Sequence, residues 1–343
     1  MFLAEVGVRL LAWSTEGRRR EAWYGLTRSP TLPPGADASL VHLIRPSRDE
    51  RRIYELVPGL DVRFQDHVVR TDAHGHRVAA AAPDAPADAG AVARVVGIGD
   101  SVMFGWGVAE PDCFLRRLEG LLRAERPDVA WQVVNTGVPG YNTVMEVATL
   151  RAALPGLSPQ LVVLDIVGND LDLPNFIAHD TDYFDPTTSY LAELVVSVAR
   201  GFETQPFRPL RLAPKRAEGL FVGDPARVPP RYRDMVGEPA FRRAVQELAE
   251  LSRVHRFEVL ATSHLWLSDW ARTALRDAGI AYVEVGPAVA RYQEENGIAD
   301  YRGGMTTRPD DPHPGAVVHR LHAEAIHAEL RRSGALARIA APR

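Results

Sequence analysis

The pattern of apolar and polar positions changes near residue 94. From there to the C-terminus, short apolar runs alternate with longer segments whose apolar positions recur at helical spacing. The runs predicted to form buried strands are 95–99, 131–135, 161–167, 257–261 and 281–285, and the segments predicted to form helices are 114–123, 241–254, 270–278 and 315–332. This alternation is typical of a parallel sheet covered by helices on both faces. The predicted fold class is α/β, a three-layer α/β/α arrangement around a five-stranded parallel sheet.

The N-terminal residues follow a different pattern. Phe2, Leu3, Val6, Leu10 and Trp13 recur at helical spacing, which predicts an amphipathic first helix. This helix either packs on the body of the protein or makes a peripheral membrane contact, in which arginines 18–20 would attract anionic headgroups. It is too short and too charged for a transmembrane span. No cleavable signal peptide is evident, which favours a cytoplasmic location but leaves the compartment open.

Two further segments depart from the regular alternation. Residues 53–80 contain short β-rich runs and predict a small β-rich appendage, and the Ala-, Pro- and Asp-rich stretch up to residue 91 predicts a linker. We therefore divide the chain into an N-terminal region, 1–90, and an α/β domain, 91–335. Within that domain, residues 171–235 are rich in proline and aromatic residues. A segment of this length usually folds over something, so we expect an insertion or cap above a cleft.

Composition excludes several classes of protein. With 46% hydrophobic and 24% charged residues, the chain has an ordinary globular composition and is not wholly disordered. A formal charge of −4 argues against nucleic acid as a partner. Cys113 is the only cysteine, so neither an intramolecular disulfide nor a cysteine-rich metal site can form.

Chemistry-bearing residues follow three predicted strands and precede the last predicted helix. Because ligands of open parallel sheets bind beyond the carboxyl ends of the strands, we expect these segments to meet. They are Gly97–Gly107 with Ser101, Asn135–Thr143 with Gly137, Gly168–Asp170 with Asn169, and Pro309–Pro314 with Asp310, Asp311 and His313. Taken alone, the Gly-Asp-Ser tripeptide is common, and Ser101 is better explained as the N-cap of a helix that follows the strand. Met103, Phe104 and Trp106 either line a pocket or pack in the core.

Acyl transfer requires this set of groups. A serine hydroxyl becomes a good nucleophile when an imidazole takes its proton and a carboxylate orients that imidazole. Ser101, His313 and an aspartate fill these roles. The oxyanion that develops needs preorganised donors, for which the backbone N–H groups of Ser101 and Gly137 and the side-chain amide of Asn169 are the candidates.

The same segments resemble the SGNH or GDSL hydrolases, whose conserved blocks are named for Ser, Gly, Asn and His. The matches are GDSVMFGWGV, NTGVPGYNT, VGND and DDPHP, in the family's order. The resemblance implies a Ser-His-Asp mechanism on a small-molecule or glycan ester, without a metal or organic cofactor. The spacing Asp-x-x-His selects Asp310 as the third triad member, which we prefer, while the spacing Asp-x-His selects Asp311.

Three functions remain open from the sequence. The leading prediction is a serine esterase that works through an acyl-enzyme on Ser101. The same triad could serve an O-acyltransferase or a carbohydrate deacetylase, because acceptor binding and water exclusion decide where the acyl group goes. A binding module without catalytic activity is the third alternative. Acyl and alcohol specificity and the oligomeric state are not encoded in the pattern of motifs.

Overall fold

A computed structural model of the protein describes residues 2–10, 32–79, 91–174, 189, 191, 192, 195 and 221–341. The predicted linker, apart from its two ends, and most of the predicted cap at 171–235 lie outside the described residues.

The described residues of the N-terminal region, 2–10 and 32–79, contain two helices and six short strands. In chain order they are α1 (2–10), β1 (Ala36–Asp37), α2 (Leu40–Leu43), β2 (Ile44–Pro46), β3 (Tyr54–Leu56), β4 (Asp61–Phe64), β5 (His67–Thr71) and β6 (Arg77–Val78). The predicted β-rich appendage is therefore present. Strands β4 to β6 are joined by tight turns, and each pairs antiparallel with the next.

The α/β region follows from residue 91. Its elements are β7 (Ala91–Ile98), α3 (Ser101–Phe104), α4 (Phe114–Glu125), β8 (Val129–Asn135), α5 (Thr143–Leu157), β9 (Leu161–Asp165), β10 (Leu173–Pro174), β11 (Phe221–Val222), α6 (Glu238–His255), β12 (Glu258–Ser263), α7 (Asp269–Ala278), β13 (Ala281–Glu284), α8 (Gly286–Glu295), α9 (Tyr301–Gly304), β14 (Thr306–Arg308), β15 (Asp311–Pro314), α10 (Ala316–Arg332) and α11 (Ala335–Ile339). Short 3₁₀ turns lie at Glu110–Asp112, Pro225–Arg227 and Pro230–Met235.

The central sheet confirms the predicted fold class. Strands β8, β7, β9, β12 and β13 lie side by side in that order, and all are parallel. The sheet continues beyond β8, where β6 pairs antiparallel through Arg77 and Asn135 and is followed by β5, β4 and β1. The appendage is thus an extension of the central sheet.

Helix α5 was not predicted as a helix. Its apolar side chains point in several directions, since Met145, Val147, Ala148 and Leu150 are all buried. A helix buried on more than one side loses the amphipathic period on which the sequence prediction depends. It nevertheless has a clear start, because the Asn142 side chain accepts a hydrogen bond from the Met145 N–H.

A separate hydrophobic core lies between the appendage and the α/β region and holds them together. It combines residues of β2 to β5 with residues that surround the Ser101 segment and the loop after β8. The members that cross this junction are Tyr54, Phe64, Val69, Phe104, Val138, Tyr141 and Met145. In the part of the chain that the structure describes, no helix is long and apolar enough to cross a membrane.

Candidate active site

Ser101 is the first residue of α3, just beyond the carboxyl end of β7. Asp100 caps this helix, since its Oδ1 accepts a hydrogen bond from the Val102 N–H at 2.9 Å. The helix ends at Gly105, whose φ of +85° lies in the left-handed region that favours glycine. The helix cap and this sharp exit fix the position of the serine at the edge of the sheet.

The structure brings Ser101 and His313 together from opposite ends of the α/β region. The Oγ of Ser101 lies 2.9 Å from Nε2 of His313, which is carried by β15. The Nδ1 of the same ring lies 2.5 Å from Oδ1 of Asp311. A hydroxyl, an imidazole and a carboxylate therefore form one continuous hydrogen-bonded chain.

The preference for Asp310 is corrected by this geometry. The side chain of Asp310 is 85% exposed and lies 3.8 Å from the guanidinium of Arg308, whereas that of Asp311 is 13% exposed. The strand period explains the difference. Asp311 and His313 are two residues apart on β15 and so project to the same side, while Asp310 precedes the strand.

Trp106 holds the carboxylate from its other side. Its indole N–H donates to Oδ2 of Asp311 at 2.9 Å, and its ring stacks on the His313 imidazole with centroids 4.9 Å apart. Burial disfavours the charged form of Asp311. However, hydrogen bonds from the His313 backbone, the His313 ring and the Trp106 indole outweigh burial and hold the pKa of Asp311 below its ordinary value.

The sequence predicts that Met103, Phe104 and Trp106 either line a pocket or pack in the core. Of these three residues, only Trp106 lies at the site. Met103 and Phe104 are fully buried in the core. Trp106 in turn packs edge-on against Phe64 of β4, with ring centroids 4.8 Å apart. The appendage therefore supports the ring that orients both Asp311 and His313.

The predicted donor Gly137 is engaged elsewhere. Its N–H donates to Oδ1 of Asn135 at 2.9 Å, while Nδ2 of Asn135 donates to the Met103 carbonyl at 2.8 Å. These bonds tie the end of β8 to α3. The prediction of Gly137 as an oxyanion donor is therefore not supported by the geometry, because its N–H already has an acceptor.

Gly140 is a better-placed glycine in the same loop. Its φ is +83°, and within the described residues its N–H makes no hydrogen bond. The Nδ2 of Asn169 lies 3.3 Å from the carbonyl oxygen of Tyr141, the next residue. The amide of Asn169 has two N–H groups, so one is left for another acceptor. Gly140 and Asn169 thus lie side by side.

Arg77 fixes the loop that follows α3 and carries Trp106. It is 2% exposed, and its guanidinium donates to the carbonyl oxygens of Phe104 at 2.5 Å, Gly105 at 2.7 Å and Val108 at 2.9 Å. It also lies over the Phe104 ring, 4.7 Å from the centroid. A guanidinium suits this role because its N–H groups form a rigid fork. Sequence reasoning did not identify Arg77, since a lone arginine in a β-rich run carries no signal.

The loop that carries Gly140 is held by a pair of tyrosines. The hydroxyl of Tyr54, on β3, donates to the Pro139 carbonyl at 2.8 Å, and the hydroxyl of Tyr141 donates to the backbone oxygen of Tyr54. Their rings pack edge to face with centroids 5.1 Å apart. The appendage thus supports the loop after β8 as well as the loop after α3.

Four buried carboxyl groups lie behind Ser101: Asp100, Glu146, Asp165 and Asp170. Burial raises the pKa of each, and the negative charge of the others adds to this shift for Glu146, Asp165 and Asp170. Asp170 accepts hydrogen bonds from the Thr143 hydroxyl at 3.0 Å and the Val167 N–H at 2.6 Å. Oδ2 of Asp100 also lies 3.0 Å from Oγ of Ser101, so Asp100 and Nε2 of His313 are alternative acceptors for the single hydroxyl proton.

Glu146 should make the stability of the folded protein depend on pH. Within the described residues, neither of its carboxylate oxygens has a hydrogen-bond partner. The unfolded chain ionises Glu146 near its ordinary pKa of 4.5, while the folded protein holds the proton to higher pH. Protonation of Glu146 therefore contributes stability to the folded protein. This contribution is fully present below pH 4.5, the pKa in the unfolded chain, and is lost as the pH rises through the raised pKa of the folded state.

We expect Glu146→Gln to raise the free energy of unfolding at pH 8 by about 1 to 3 kcal/mol, because the amide cannot ionise. The gain should shrink as the pH is lowered to 5. Denaturant titrations at both values measure it, and Glu295→Gln, on the exposed end of α8, is the control. An equal effect of Glu146→Gln at both pH values would contradict the argument.

The model of the GDSL-like lipase/acylhydrolase family matches residues 98–321, well over half of the chain. No curated protein matches the chain significantly.

Several solved structures are similar at low identity. The α/β hydrolase LAE5, from the metagenome of Lake Arreo in Spain, is 17% identical with a TM-score of 0.42, over 71% of this chain and 96% of that one. A two-domain esterase, CEX, described as active on acetylated mannans, is 14% identical with a TM-score of 0.43, over 70% and 49%. The acetyl xylan esterase AlAXEase is 13% identical with a TM-score of 0.41, over 69% and 99%. The family match, which spans the segments that carry Ser101, Asn169 and His313, shows that the chain belongs to the GDSL-like lipase/acylhydrolase family and is a carboxylic ester hydrolase.

Proposed function

We propose that the protein cleaves esters through a covalent acyl-enzyme on Ser101, with His313 as general base and acid and Asp311 as its partner. The observation that carries this proposal is the unbroken hydrogen-bonded chain from Ser101 Oγ through both nitrogens of His313 to Asp311 Oδ1, with separations of 2.9 and 2.5 Å. Each separation is within the range over which a proton can be transferred or held.

In the acylation step, the Ser101 oxygen attacks the carbonyl carbon while its proton passes to Nε2 of His313. Asp311 accepts the hydrogen bond from the Nδ1–H, which fixes the tautomer and stabilises the imidazolium. When the tetrahedral intermediate collapses, His313 donates the proton to the leaving alcohol oxygen. Water then attacks the acylated serine, and the same ring takes its proton and returns it to the Ser101 oxygen.

The tetrahedral intermediate carries a negative charge on the former carbonyl oxygen, and this oxyanion needs hydrogen-bond donors around it. We assign the Ser101 N–H, the Gly140 N–H and the free N–H of the Asn169 amide to this role. Gly140 replaces Gly137, whose N–H is committed to Asn135. Each donor of this type typically contributes about 3 to 4 kcal/mol to transition-state stabilisation.

A serine-directed fluorophosphonate tests the assignment of the nucleophile. We expect one equivalent of label, located on Ser101 by mass spectrometry, because the probe requires an activated hydroxyl beside an oxyanion hole. Labelling should disappear in Ser101→Ala and persist in Ser333→Ala, a substitution at an exposed helix end. Label at another residue, or full labelling of Ser101→Ala, would refute the proposed mechanism.

The substrate is proposed to be a small-molecule or glycan ester. The acyl-enzyme could pass its acyl group to water or to a sugar hydroxyl, and these outcomes differ in product. Incubation of an acetyl ester with and without glucose, followed by chromatography, separates them. Free acetate under both conditions supports hydrolysis, while acetylated glucose would assign the protein as a transferase.

A further inference from the structure

The hairpin tip, residues 64–67 at the end of β4 and the start of β5, is connected to the catalytic pair, Asp311 and His313. Oδ1 of Asp311 is bonded to the His313 ring. Oδ2 of Asp311 is contacted by the Trp106 indole nitrogen at 2.9 Å and lies 3.8 Å from the Arg308 guanidinium. Each of these two groups in turn contacts the hairpin tip. The surroundings of Oδ2 therefore depend on a part of the appendage.

The first connection runs from Phe64 to Trp106. Phe64 is 4% exposed, and its ring meets the Trp106 ring at 90° with centroids 4.8 Å apart. Trp106 also stacks on the His313 imidazole, with the two planes inclined by only 19°. The indole face attracts the imidazolium that forms when His313 takes the Ser101 proton. Phe64 therefore restrains a ring that contacts both members of the catalytic pair.

The second connection runs from Gln65 to Arg308. Oε1 of Gln65 accepts a hydrogen bond from Nη2 of Arg308 at 2.8 Å, which joins residues 243 positions apart. The same nitrogen lies 3.8 Å from Oδ2 of Asp311. The Arg308 side chain is 48% exposed, so without this hydrogen bond it would have many rotamers open to it in solvent. Gln65 therefore keeps a positive charge beside the carboxylate of Asp311.

The backbone of the hairpin tip is strained at Gln65. The φ angles of Gln65 and Asp66 are +49° and +65°, in the left-handed region that favours glycine. A two-residue hairpin loop with positive φ at both positions is typically built from asparagine and glycine. At the first of these positions the chain instead carries the side chain that reaches Arg308. Strain that persists at such a position points to a function for the side chain.

We infer that Phe64 and Gln65 are positioning residues for the catalytic pair, Phe64 acting through Trp106 and Gln65 acting through Arg308. The inference rests on the proposed function of that pair in proton transfer. A misplacement of about 1 Å can cost about 100-fold in rate, so small movements of the imidazole or the carboxylate are enough to slow the reaction. The effect belongs to the chemical step, and we expect it in kcat and not in KM.

Gln65→Gly separates positioning from stability. Glycine relieves the strained φ, so the midpoint of thermal unfolding should not fall. We expect kcat for 4-nitrophenyl acetate to fall by at least about threefold and KM to change by less than about twofold. Asp66→Gly is the matched control, since it relieves strain at the next position and removes only a 77%-exposed carboxylate 4.0 Å from Arg308. It should keep the original kcat. An unchanged kcat in Gln65→Gly, or a loss that accompanies lower stability, would overturn the inference.

Double substitutions test the path of each connection. Arg308→Met already lacks the hydrogen bond to Gln65, so the addition of Gln65→Gly should lower kcat no further. Phe64→Leu should lower kcat by at least about tenfold in the unaltered protein and by less than about twofold in Trp106→Leu, in which the ring contact is already absent. Full additivity in either double variant would show that the residue acts by another route and would overturn that connection.

A readout without substrate separates this inference from the proposed function. The proton in the 2.5 Å bond between Nδ1 of His313 and Asp311 should give a far-downfield ¹H NMR signal that is absent in His313→Gln. We expect this signal to broaden in Gln65→Gly and Phe64→Leu, because a loosely held proton exchanges faster with water, and to stay sharp in Asp66→Gly.

The two proposals fail in different ways. Hydrolysis of 4-nitrophenyl acetate by the unaltered protein, with both kcat and the NMR signal unchanged in Gln65→Gly and Phe64→Leu, would overturn the inference and leave the esterase proposal intact. A signal that broadens in these two variants, in a protein that hydrolyses no ester, would support the positioning of the catalytic pair and overturn the esterase proposal.

Discussion

Asp311→Asn is expected to lower kcat for ester hydrolysis by about 10³- to 10⁴-fold, whereas Asp310→Asn should change it by less than about twofold. Asp311 accepts hydrogen bonds from both the His313 ring and the Trp106 indole. An asparagine can accept only one of these through its single carbonyl oxygen, and it brings no charge to stabilise the imidazolium. Asp310 makes no contact with His313 that such a change would remove, since its side chain points to solvent beside Arg308.

Initial rates with 4-nitrophenyl acetate measure both variants, and thermal unfolding confirms that each is folded. The pair is a matched control, because the same substitution is made at adjacent positions. A loss confined to Asp310→Asn would show that the hydrogen-bonded chain seen in the structure is not the one used in catalysis.

Arg77→Met should cause a large loss of stability. The methionine fills much of the same space, but the carbonyl groups of Phe104, Gly105 and Val108 lose the donor they share. The Gly105 carbonyl keeps the Val108 N–H as a donor, so the carbonyls of Phe104 and Val108 are the two that lose their N–H partner. Each buried acceptor left in this way costs about 1 to 3 kcal/mol, so we expect the free energy of unfolding to fall by at least about 2 kcal/mol. Because these carbonyls flank Trp106, kcat should fall as well in the protein that remains folded.

Arg63→Met provides the control in the same appendage. Arg63 is on β4, and its ion pair with Asp37 is exposed and 3.6 Å long, so its loss should cost no more than about 1 kcal/mol. Arg77→Lys should fall between the two, since an ammonium keeps the charge but cannot span three carbonyls in the guanidinium geometry. Denaturant titration of the three variants gives the order, and equal stabilities of Arg77→Met and Arg63→Met would contradict the role assigned to Arg77.

The parts that could be predicted from the sequence are those with a strong local pattern. The five parallel strands were apparent because each is a short apolar run, and the proximity of Ser101 and His313 followed from the rule that strand ends share one edge. The choice between Asp310 and Asp311 depends on where β15 begins. The sequence alone does not reveal the short β14–β15 hairpin that sets this boundary.

The features of the site that could not be predicted from the sequence involve backbone groups and long-range contacts. Gly137 and Gly140 are both glycines in one loop, and only the three-dimensional structure shows which N–H is already engaged. Arg77 is separated by many residues from every carbonyl that it binds, so no spacing links them. The hydrogen bond of Trp106 to Asp311 joins residues 205 positions apart. Long-range contacts of this kind lie outside any window of sequence pattern.

The attachment of the appendage has a practical consequence for expression of shorter fragments. The family match begins at residue 98, which is the last residue of β7. A gene trimmed to that boundary would delete a central strand of the sheet together with Tyr54, Phe64 and Arg77, which brace the loops on either side of the nucleophile. We therefore expect the smallest autonomous enzyme to be larger than the recognisable family region, with an N-terminal limit before β3.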